Sequence, residues 1–427
     1  MAQIHKSNKQ KRNNNIKEKP KTTGDLLEDI FTAYFDARKN KRNTKRQVEF
    51  EMNLEENLIK LYHEVKNRTY KPSPSICFIV NKPVKREIFA SEFKDRIIHH
   101  LLYNYIAPQF EKTFIHDSYS CRKEKGTHFG IKRLQHHIRS CTNNYKETAH
   151  ILKLDIQGYF MSINKQKLQE IVTTRLFKIW TKKQEKNFEL ILFLIKQIIT
   201  KKPAENCVIN SPRQQWNGLP KTKSLFHNPS EIGLPIGDLT SQLFSNIYLG
   251  ELDDYIKREL KIKHYGRYVD DFYIIDKDKE KLKGLIKTIK TYLVTKLEIN
   301  LHPQKIYLQE YTKGVHFLGA MIKPYRKQPV KRCVKSYMET INKANKICSA
   351  SKITPKTTDK ILATINSFCG HLGTFDAYKL KKRTLQDHNL NKFFDIAPDY
   401  AKITLKEELK RKPQELTQEL IKIQNNN

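Results

Sequence analysis

The stretch that most constrains this chain is Arg267-Tyr268-Val269-Asp270-Asp271-Phe272-Tyr273-Ile274-Ile275. Two adjacent carboxylates separate two apolar, β-prone runs, and the pattern predicts strand, tight turn, strand, with the acids at the tip. Turns favour aspartate, so the pair alone is equally compatible with a solvated hairpin end. A second element changes the reading. His150-Ile151-Leu152-Lys153-Leu154-Asp155-Ile156 is another apolar strand ending in an acid, with Tyr159 and Phe160 close behind. Carboxylates from two strands can converge on two metal ions. Such a pair stabilises the attacking and leaving oxygens of an in-line phosphoryl transfer.

Charge points the same way. The 427 residues carry 80 Lys and Arg against 45 Asp and Glu, a formal net charge of +35. An excess of that size calls for a polyanionic partner. The length allows two or three subdomains with substantial cores. Cys77, Cys121, Cys141, Cys207, Cys333, Cys348 and Cys369 form no CxxC pair. This argues against a zinc ribbon and fits free thiols in a reducing compartment. No apolar run reaches the roughly 18–20 residues that span a bilayer. The polar, basic N-terminus has no apolar core of a secretory signal. The expectation is a soluble, cytoplasmic protein with no membrane partner.

Along the chain, residues 1–22 are rich in Lys and Asn and predict a disordered basic arm. Residues 23–70 predict two amphipathic helical segments, the first capped by Thr23 or Asp25, separated by a basic linker from Lys39 to Arg46. Ile76–Val80 predicts a strand, and Lys82-Pro83-Val84-Lys85-Arg86-Glu87-Ile88 a turn into the next. A basic β-hairpin of this kind can close over a triphosphate, with Arg as a planar donor fork and Lys as a point charge. Adjacent histidines, His99-His100 and His136-His137, point about 100° apart on a helix and predict structural or solvent-facing roles rather than a metal pair. Residues 165–202 predict helix. Residues 203–232, polar and rich in Pro, Asn and Ser around Trp216, predict an inserted loop. Beyond residue 326 the chain predicts a basic, mostly helical region with a charged tail over 403–427.

Tyr268-Val269-Asp270-Asp271 resembles the Tyr-x-Asp-Asp box of reverse transcriptases, and Leu154-Asp155-Ile156-Gln157-Gly158-Tyr159-Phe160 resembles their first catalytic-aspartate motif. The resemblance runs in the family's order over roughly residues 60 to 325. It implies an α+β right-hand polymerase with fingers, an antiparallel palm sheet and a helical thumb. Implied boundaries are 23–145 for N-terminal helices and fingers, 146–325 for the palm and 326–427 for the thumb and tail. The resemblance implies that Asp155, Asp270 and Asp271, with the Ile156 carbonyl, hold two Mg²⁺, for which Mn²⁺ can substitute.

The same resemblance assigns further expectations. Lys85 and Arg86, with Lys82 as a third candidate, would bind triphosphate. Phe160 corresponds to the ring that packs under the sugar and excludes a 2′-hydroxyl, which implies dNTP use. Arg122 and Gly126, in a loop resembling the Tyr-x-x-Arg block, would meet template or nucleotide. Lys305 would serve as a general acid. Phe317, Leu318 and Gly319 resemble the primer-grip hairpin. At Ile236-Gly237-Asp238-Leu239-Thr240-Ser241-Gln242 the chain departs from the usual Gln-Gly-x-x-x-Ser-Pro block. That variant resembles the reverse transcriptases of diversity-generating retroelements, in which an aliphatic residue stands beside the incoming nucleotide and errors occur at template adenines. Ile236, Gly237 and Gln242 are therefore nucleotide-binding candidates. Implied partners are a template RNA, a DNA primer, dNTPs and a small basic accessory protein or non-coding RNA. Two other roles fit the same motifs: a reverse transcriptase in phage defence, and an RNA-binding scaffold with a silent polymerase fold.

Overall fold

The computed structural model describes residues 22–39, 44–82, 84–180, 187–349, 354–386 and 389–409. The expected basic arm lies outside these residues but for its last position, as does the tail from 410 onward. The chain forms two compact units. One contains residues up to Thr113 with Phe160–Tyr248, and the other contains Phe114–Tyr159 with residues from Leu249 onward.

In the first unit, α1 (Leu26–Arg38), α2 (Lys45–Glu51) and α3 (Leu54–Lys66) precede β1 (Ser75–Val80), β2 (Arg86–Ala90) and α4 (Phe93–Glu111). Asp25 is the cap of α1, accepting from the Leu27 and Glu28 amides, as an N-cap aspartate does. The chain then supplies α5 (Thr127–Cys141) and β3 (His150–Asp155) to the second unit. A short turn of helix, α6 (Tyr159–Ser162), opens the return to the first unit. There α7 (Lys165–Ile179), α8 (Phe188–Ile199), β4 (Cys207–Ile209) and most of α9 (Leu239–Asp254) follow. The α4 face carrying Ile97, Ile98, Leu101, Leu102 and Ile106 is fully buried.

The inserted loop expected over 203–232 is more ordered than its composition suggested. β4 pairs parallel with β1, extending the β1–β2 hairpin into a three-stranded sheet of order β2-β1-β4. Its Pro and Asn residues punctuate three single turns of 3₁₀ helix. Polar composition signalled the lack of long elements, and missed the buried polar contacts that fix the segment.

The second unit is organised by β5 (His264–Tyr268), β6 (Asp271–Asp276), α10 (Lys279–Leu297) and β7 (Tyr307–Glu310). With β3 the strands form an antiparallel sheet of order β5-β6-β3-β7. β6, a central strand, is a continuous apolar run between its terminal aspartates, as a strand covered on both faces requires, while its neighbour β3 interrupts its apolar run with Lys153. A second sheet, β8 (Val315–Phe317), β9 (Ala320–Lys323) and β10 (Arg326–Pro329), leads into α11 (Lys331–Ser349), α12 (Pro355–Leu372) and α13 (Tyr378–Leu385). Tyr273, Ile275, Phe317 and Ile322 share one core with Tyr337, Ile341, Ile365 and Leu372 of the helices.

The C-terminal region is mostly helical, as expected, and adds two short strands. β11 (Phe394–Ile396) and β12 (Ile403–Leu405) form a small ladder. Asn366 of α12 clips it in place, accepting from the Ile403 amide at 2.7 Å and donating to the Ile403 carbonyl at 2.9 Å. A strand this short depends on such tertiary contacts rather than on local propensity.

One terminus carries backbone strain. α10 ends on Glu298, which is exposed and adopts the left-handed conformation with φ +53°. Glycine enters that region without a Cβ penalty. Glu298→Gly should therefore raise stability by about 0.5–1 kcal/mol, read as a higher midpoint in urea unfolding. A lower midpoint would mean that the glutamate side chain contributes more than its backbone costs.

Candidate active site

The β5–β6 hairpin places Asp270 in its turn and Asp271 at the first position of β6. Asp155, the last residue of β3, is the register partner of Asp271. The Ile156 amide donates to the Asp270 carbonyl at 3.2 Å, so the end of β3 is tied to the turn itself. The chain beyond α10 closes the other side: the His302 amide donates to the Asp155 carbonyl at 2.8 Å. Asp155, far from Asp270 and Asp271 in sequence, thus lies beside them at one end of one sheet.

The turn is shaped by a residue to which sequence reasoning gave no role. Val269 sits at φ +55°, an uncommon conformation for a β-branched residue. Its carbonyl accepts at 3.1 Å from the guanidinium of Arg267, which is wholly buried. The same guanidinium forms a two-pronged pair with Asp253 of α9, at 2.8 and 2.6 Å, and donates to Ser118 Oγ at 3.3 Å. Tyr265 adds a 2.6 Å bond to Asp253. The backbone of Arg267 also exchanges bonds with the 117–119 segment, accepting from the Tyr119 amide and donating to the Asp117 carbonyl, each at 2.9 Å. The available signal was an arginine inside a strand otherwise buried on both sides.

Behind the sheet, Asp117 accepts from Arg133 at 2.6 and 3.0 Å and from Tyr119 at 3.0 Å, while His137 bonds the Tyr273 hydroxyl at 3.0 Å. Burial alone would raise the Asp117 carboxyl, but His137 and Arg133 hold it well below the usual carboxylate range. His137 is therefore structural. His99 is buried in the first unit between Ser91 Oγ, at 3.1 Å, and Thr240 Oγ1, at 2.7 Å.

Electrostatically the acids are frustrated. Burial pushes Asp271 up to about 6; Lys153 opposes this, and Asp155 and Asp270 add to it. Lys153 Nζ lies 3.1 Å from Asp271 Oδ2, and Lys305 Nζ lies 2.9 Å from Asp155 Oδ1. Asp271 Oδ1 is buried and accepts no hydrogen bond. Among the described residues no three His, Cys, Asp or Glu side chains form a ready-made metal cage; the lysines hold two of the acids as ion pairs. An orphaned buried carboxylate oxygen among three acids is nonetheless an all-oxygen donor set that fits a hard divalent cation.

The remaining candidates are distributed as follows. Lys305 is half exposed and engaged by Asp155. Arg122 donates to the Ile115 and Ser118 carbonyls at 2.6 and 2.9 Å and lies over the Phe114 ring, which ties its loop together. Gly126 precedes α5 with φ +116°, a conformation that suits glycine. Phe317 is buried edge-on against Tyr273, and Leu318 and Gly319 form the β8–β9 turn. Lys85, Arg86, Phe160, Ile236, Gly237 and Gln242 all belong to the first unit. Arg86 and Gln242 are exposed, whereas Phe160 and Ile236 are half-buried. Gly237 has φ +139°, and a Cβ there would meet the Phe89 carbonyl at 3.1 Å. No helix among the described residues is long and apolar enough to cross a membrane.

Mixed helices with antiparallel sheets, and acids at the end of a four-stranded sheet, are the α+β class of the right-hand polymerases. The family described as reverse transcriptase (RNA-dependent DNA polymerase) matches residues 81–322, more than half of the chain. The chain belongs to the reverse transcriptase family. It is 21% identical over 353 residues to the group II intron-encoded protein LtrA of Lactococcus lactis subsp. cremoris, covering 67% of this chain and 53% of that protein. The chain thus spans about half the length of the curated relatives it matches. Solved structures similar to it include apo telomerase from Candida tropicalis, with TM-score 0.43, 12% identity, 74% of this chain and 59% of that one. Another is telomerase from Candida albicans in complex with a TWJ fragment of telomeric RNA, with TM-score 0.43, 11% identity, 80% of this chain and 62% of that one.

Two outcomes follow from this geometry. Arg267→Met leaves Asp253 buried without its cation, and should cost about 3–5 kcal/mol in urea unfolding. Arg267→Met/Asp253→Leu should recover much of that loss without restoring the order of the 269–270 turn, read as faster hydrogen exchange at its amides, because the Val269 carbonyl still lacks its donor. Unchanged exchange at the turn in the double variant would make the pair a stability element only. The raised Asp271 has the opposite sign. Above its unfolded value near 3.8 the folded state penalises ionisation, and the penalty is complete above about 6. Asp271→Asn, measured in chelator, should therefore gain on the order of 1–3 kcal/mol at pH 8 and lose that advantage as pH falls toward 4. A gain independent of pH would contradict the assignment.

Proposed function

We propose that this chain is an RNA-directed DNA polymerase that extends a DNA primer with dNTPs on an RNA template. The observation that carries the proposal is the register pairing of Asp155 with Asp271 beside Asp270, with Asp271 Oδ1 buried and unpartnered, in a chain of the reverse transcriptase family. Asp155, Asp270 and Asp271, with the Ile156 carbonyl, would hold two Mg²⁺ ions, for which Mn²⁺ can substitute. When bound, such ions neutralise charge on the phosphates and lower the pKa of the attacking hydroxyl. The residues of the chain orient the rest. The Arg267 guanidinium fixes the turn that carries the acids. Lys153 and Lys305 screen the carboxylates when they are not otherwise neutralised, and Lys305 would give a proton to departing pyrophosphate. Lys85 and Arg86 would take the triphosphate, and the Phe160 ring would select against a 2′-hydroxyl. Arg122, Gly126 and the 317–319 turn would position template and primer.

Within the family we assign the chain to the diversity-generating retroelement type. Ile236 supports this: its side chain packs with the Cys77–Phe89–Met161–Leu225 cluster and offers no polar group to a nucleotide. Losing such a group relaxes the check on base-pair geometry. A template RNA and a small basic accessory protein or non-coding RNA would be the partners, in the cytoplasm.

The test is primer extension on a defined RNA template with Mg²⁺, using dNTPs and separately rNTPs, with the product sequenced. DNA product, lost by at least about a thousandfold in Asp270→Asn, is expected, with errors concentrated at template adenines and reduced there in Ile236→Gln. Faithful DNA would replace the retroelement assignment by a defence role. Unchanged synthesis in Asp270→Asn would remove the catalytic assignment altogether.

A further inference from the structure

The 203–236 segment bonds Lys85 and Phe160 and contains Ile236, three of the nucleotide-binding candidates in the first unit, and one buried acid joins it to the basic hairpin. Glu87 follows Arg86 in β2 and is 1% exposed. Among the described residues, the hydrogen-bond partners of its carboxylate all come from the segment. Oε2 accepts from Trp216 Nε1 at 2.7 Å and Ser224 Oγ at 2.8 Å, and Oε1 accepts from the Leu225 amide at 2.7 Å. The neighbouring Lys85 donates its ammonium to the Asn217 carbonyl at 2.7 Å. β4 completes the grip by pairing with β1.

The other end of the segment holds the Phe160 turn. The Leu234 amide donates to the Phe160 carbonyl at 2.7 Å, the Gly233 amide to Ile163 at 2.8 Å, and Asn228 Nδ2 to the Met161 carbonyl at 2.6 Å. Ile236 then accepts from the Phe89 amide at 3.2 Å. Met161, Leu225, Phe89 and Cys77 form one buried cluster against which Trp216 and Ile236 pack. The segment thus bonds both the basic hairpin and the Phe160 turn.

We propose that residues 203–236 are the scaffold of the nucleotide pocket, with Glu87 as the positioning residue that anchors them. We further propose that the segment and a bound triphosphate compete for the Lys85 ammonium. The inference rests on the polymerase reading for its substrate, and on geometry alone for the anchoring. Glu87 faces donors only, so Glu87→Gln would turn an amide N–H₂ toward at least one of them. An anchor made of charge-assisted hydrogen bonds in a dry site is sensitive to that change. Lys85 differs, because its site is open to solvent and its bond is to a single neutral carbonyl.

The experiment uses the full chain. Hydrogen exchange is followed without substrate and then with dTTP, alongside dTTP titrations on a poly(rA)–oligo(dT) substrate. In Glu87→Gln, amides of 207–228 should exchange faster while those of β3 and β6 stay unchanged. The KM for dTTP should rise about tenfold with kcat within about threefold, the pattern of lost positioning rather than lost chemistry. Trp216→Phe removes one donor but keeps an aromatic ring, and should show the same split more weakly; it stands in if Glu87→Gln does not fold. In the wild type, dTTP should speed exchange near Asn217 as Lys85 is withdrawn. Unchanged exchange in both variants would overturn the anchor. Faster exchange with an unaltered KM would overturn the scaffold role. Should the wild type extend no primer, the polymerase reading fails by itself; a change in exchange around Asn217 and Phe160 on adding dTTP would still support the pocket, and no change would overturn it.

Discussion

A single buried guanidinium sets the geometry on which the candidate active site depends. Arg267 lies on a strand with no exposure, and its charge is met by both oxygens of Asp253. Replacing such a pair by apolar residues is often neutral for stability. What an apolar pair cannot do is reach three separate places at once. The guanidinium fork spans Asp253 on α9, Ser118 in the preceding loop and the Val269 carbonyl in the turn. Planar, divergent donors are what distinguish arginine from lysine in this role. The turn that carries Asp270 is thereby referred to a helix and a loop, rather than to its own weak local preferences.

That rigidity matters because the acids repel one another. Antiparallel register puts Asp155 opposite Asp271, and burial raises Asp271 further. Left to relax, such groups would turn apart or protonate. The sheet prevents the first, since β3 is bonded on both sides, to β6 and β7. Lys153 and Lys305 limit the second by bringing two positive charges against the carboxylates. Both lysines come from flexible side chains that a stronger, more compact cation can displace. The fold thus keeps an energetically unfavourable charge cluster in place, and its counter-charges are exchangeable.

Much of this was legible in the sequence, for a local reason. The strand ending at Asp155 and the hairpin around Asp270 are runs whose composition dictates both conformation and burial. The Gly237 turn two residues before α9 and the Asp278 cap of α10 are likewise local features. What was not legible depends on contacts between distant segments. Asp253 reads as one more polar residue at a helix end until β5 brings Arg267 to it. Glu87 reads as part of a charged turn until Trp216, Ser224 and Leu225 close over it. The 203–232 stretch reads as a loop because its order comes from buried hydrogen bonds, not from hydrophobic periodicity. β11 and β12 were missed because three-residue strands carry almost no pattern of their own.

A comparison of the buried acids separates architecture from chemistry. Asp253, Asp117, Glu87 and Asp95 are all buried, and in each both carboxylate oxygens are engaged. Asp95, for example, meets the Tyr70 hydroxyl and the Ser73 amide at 2.8 Å each. Their oxygens are satisfied in place by fixed donors, so they bind segments together. Asp271 differs in kind: one oxygen faces Lys153 of the central strand β3 and the other accepts from no donor. Leaving a buried carboxylate oxygen unmatched costs on the order of 1–3 kcal/mol or more, which a purely structural design would avoid by substituting asparagine or an apolar residue. The unmet valence is therefore the feature of the hairpin that a structural role does not account for. It lies at the end of the sheet, where Asp155 and Asp270 add two further carboxylates to the same field.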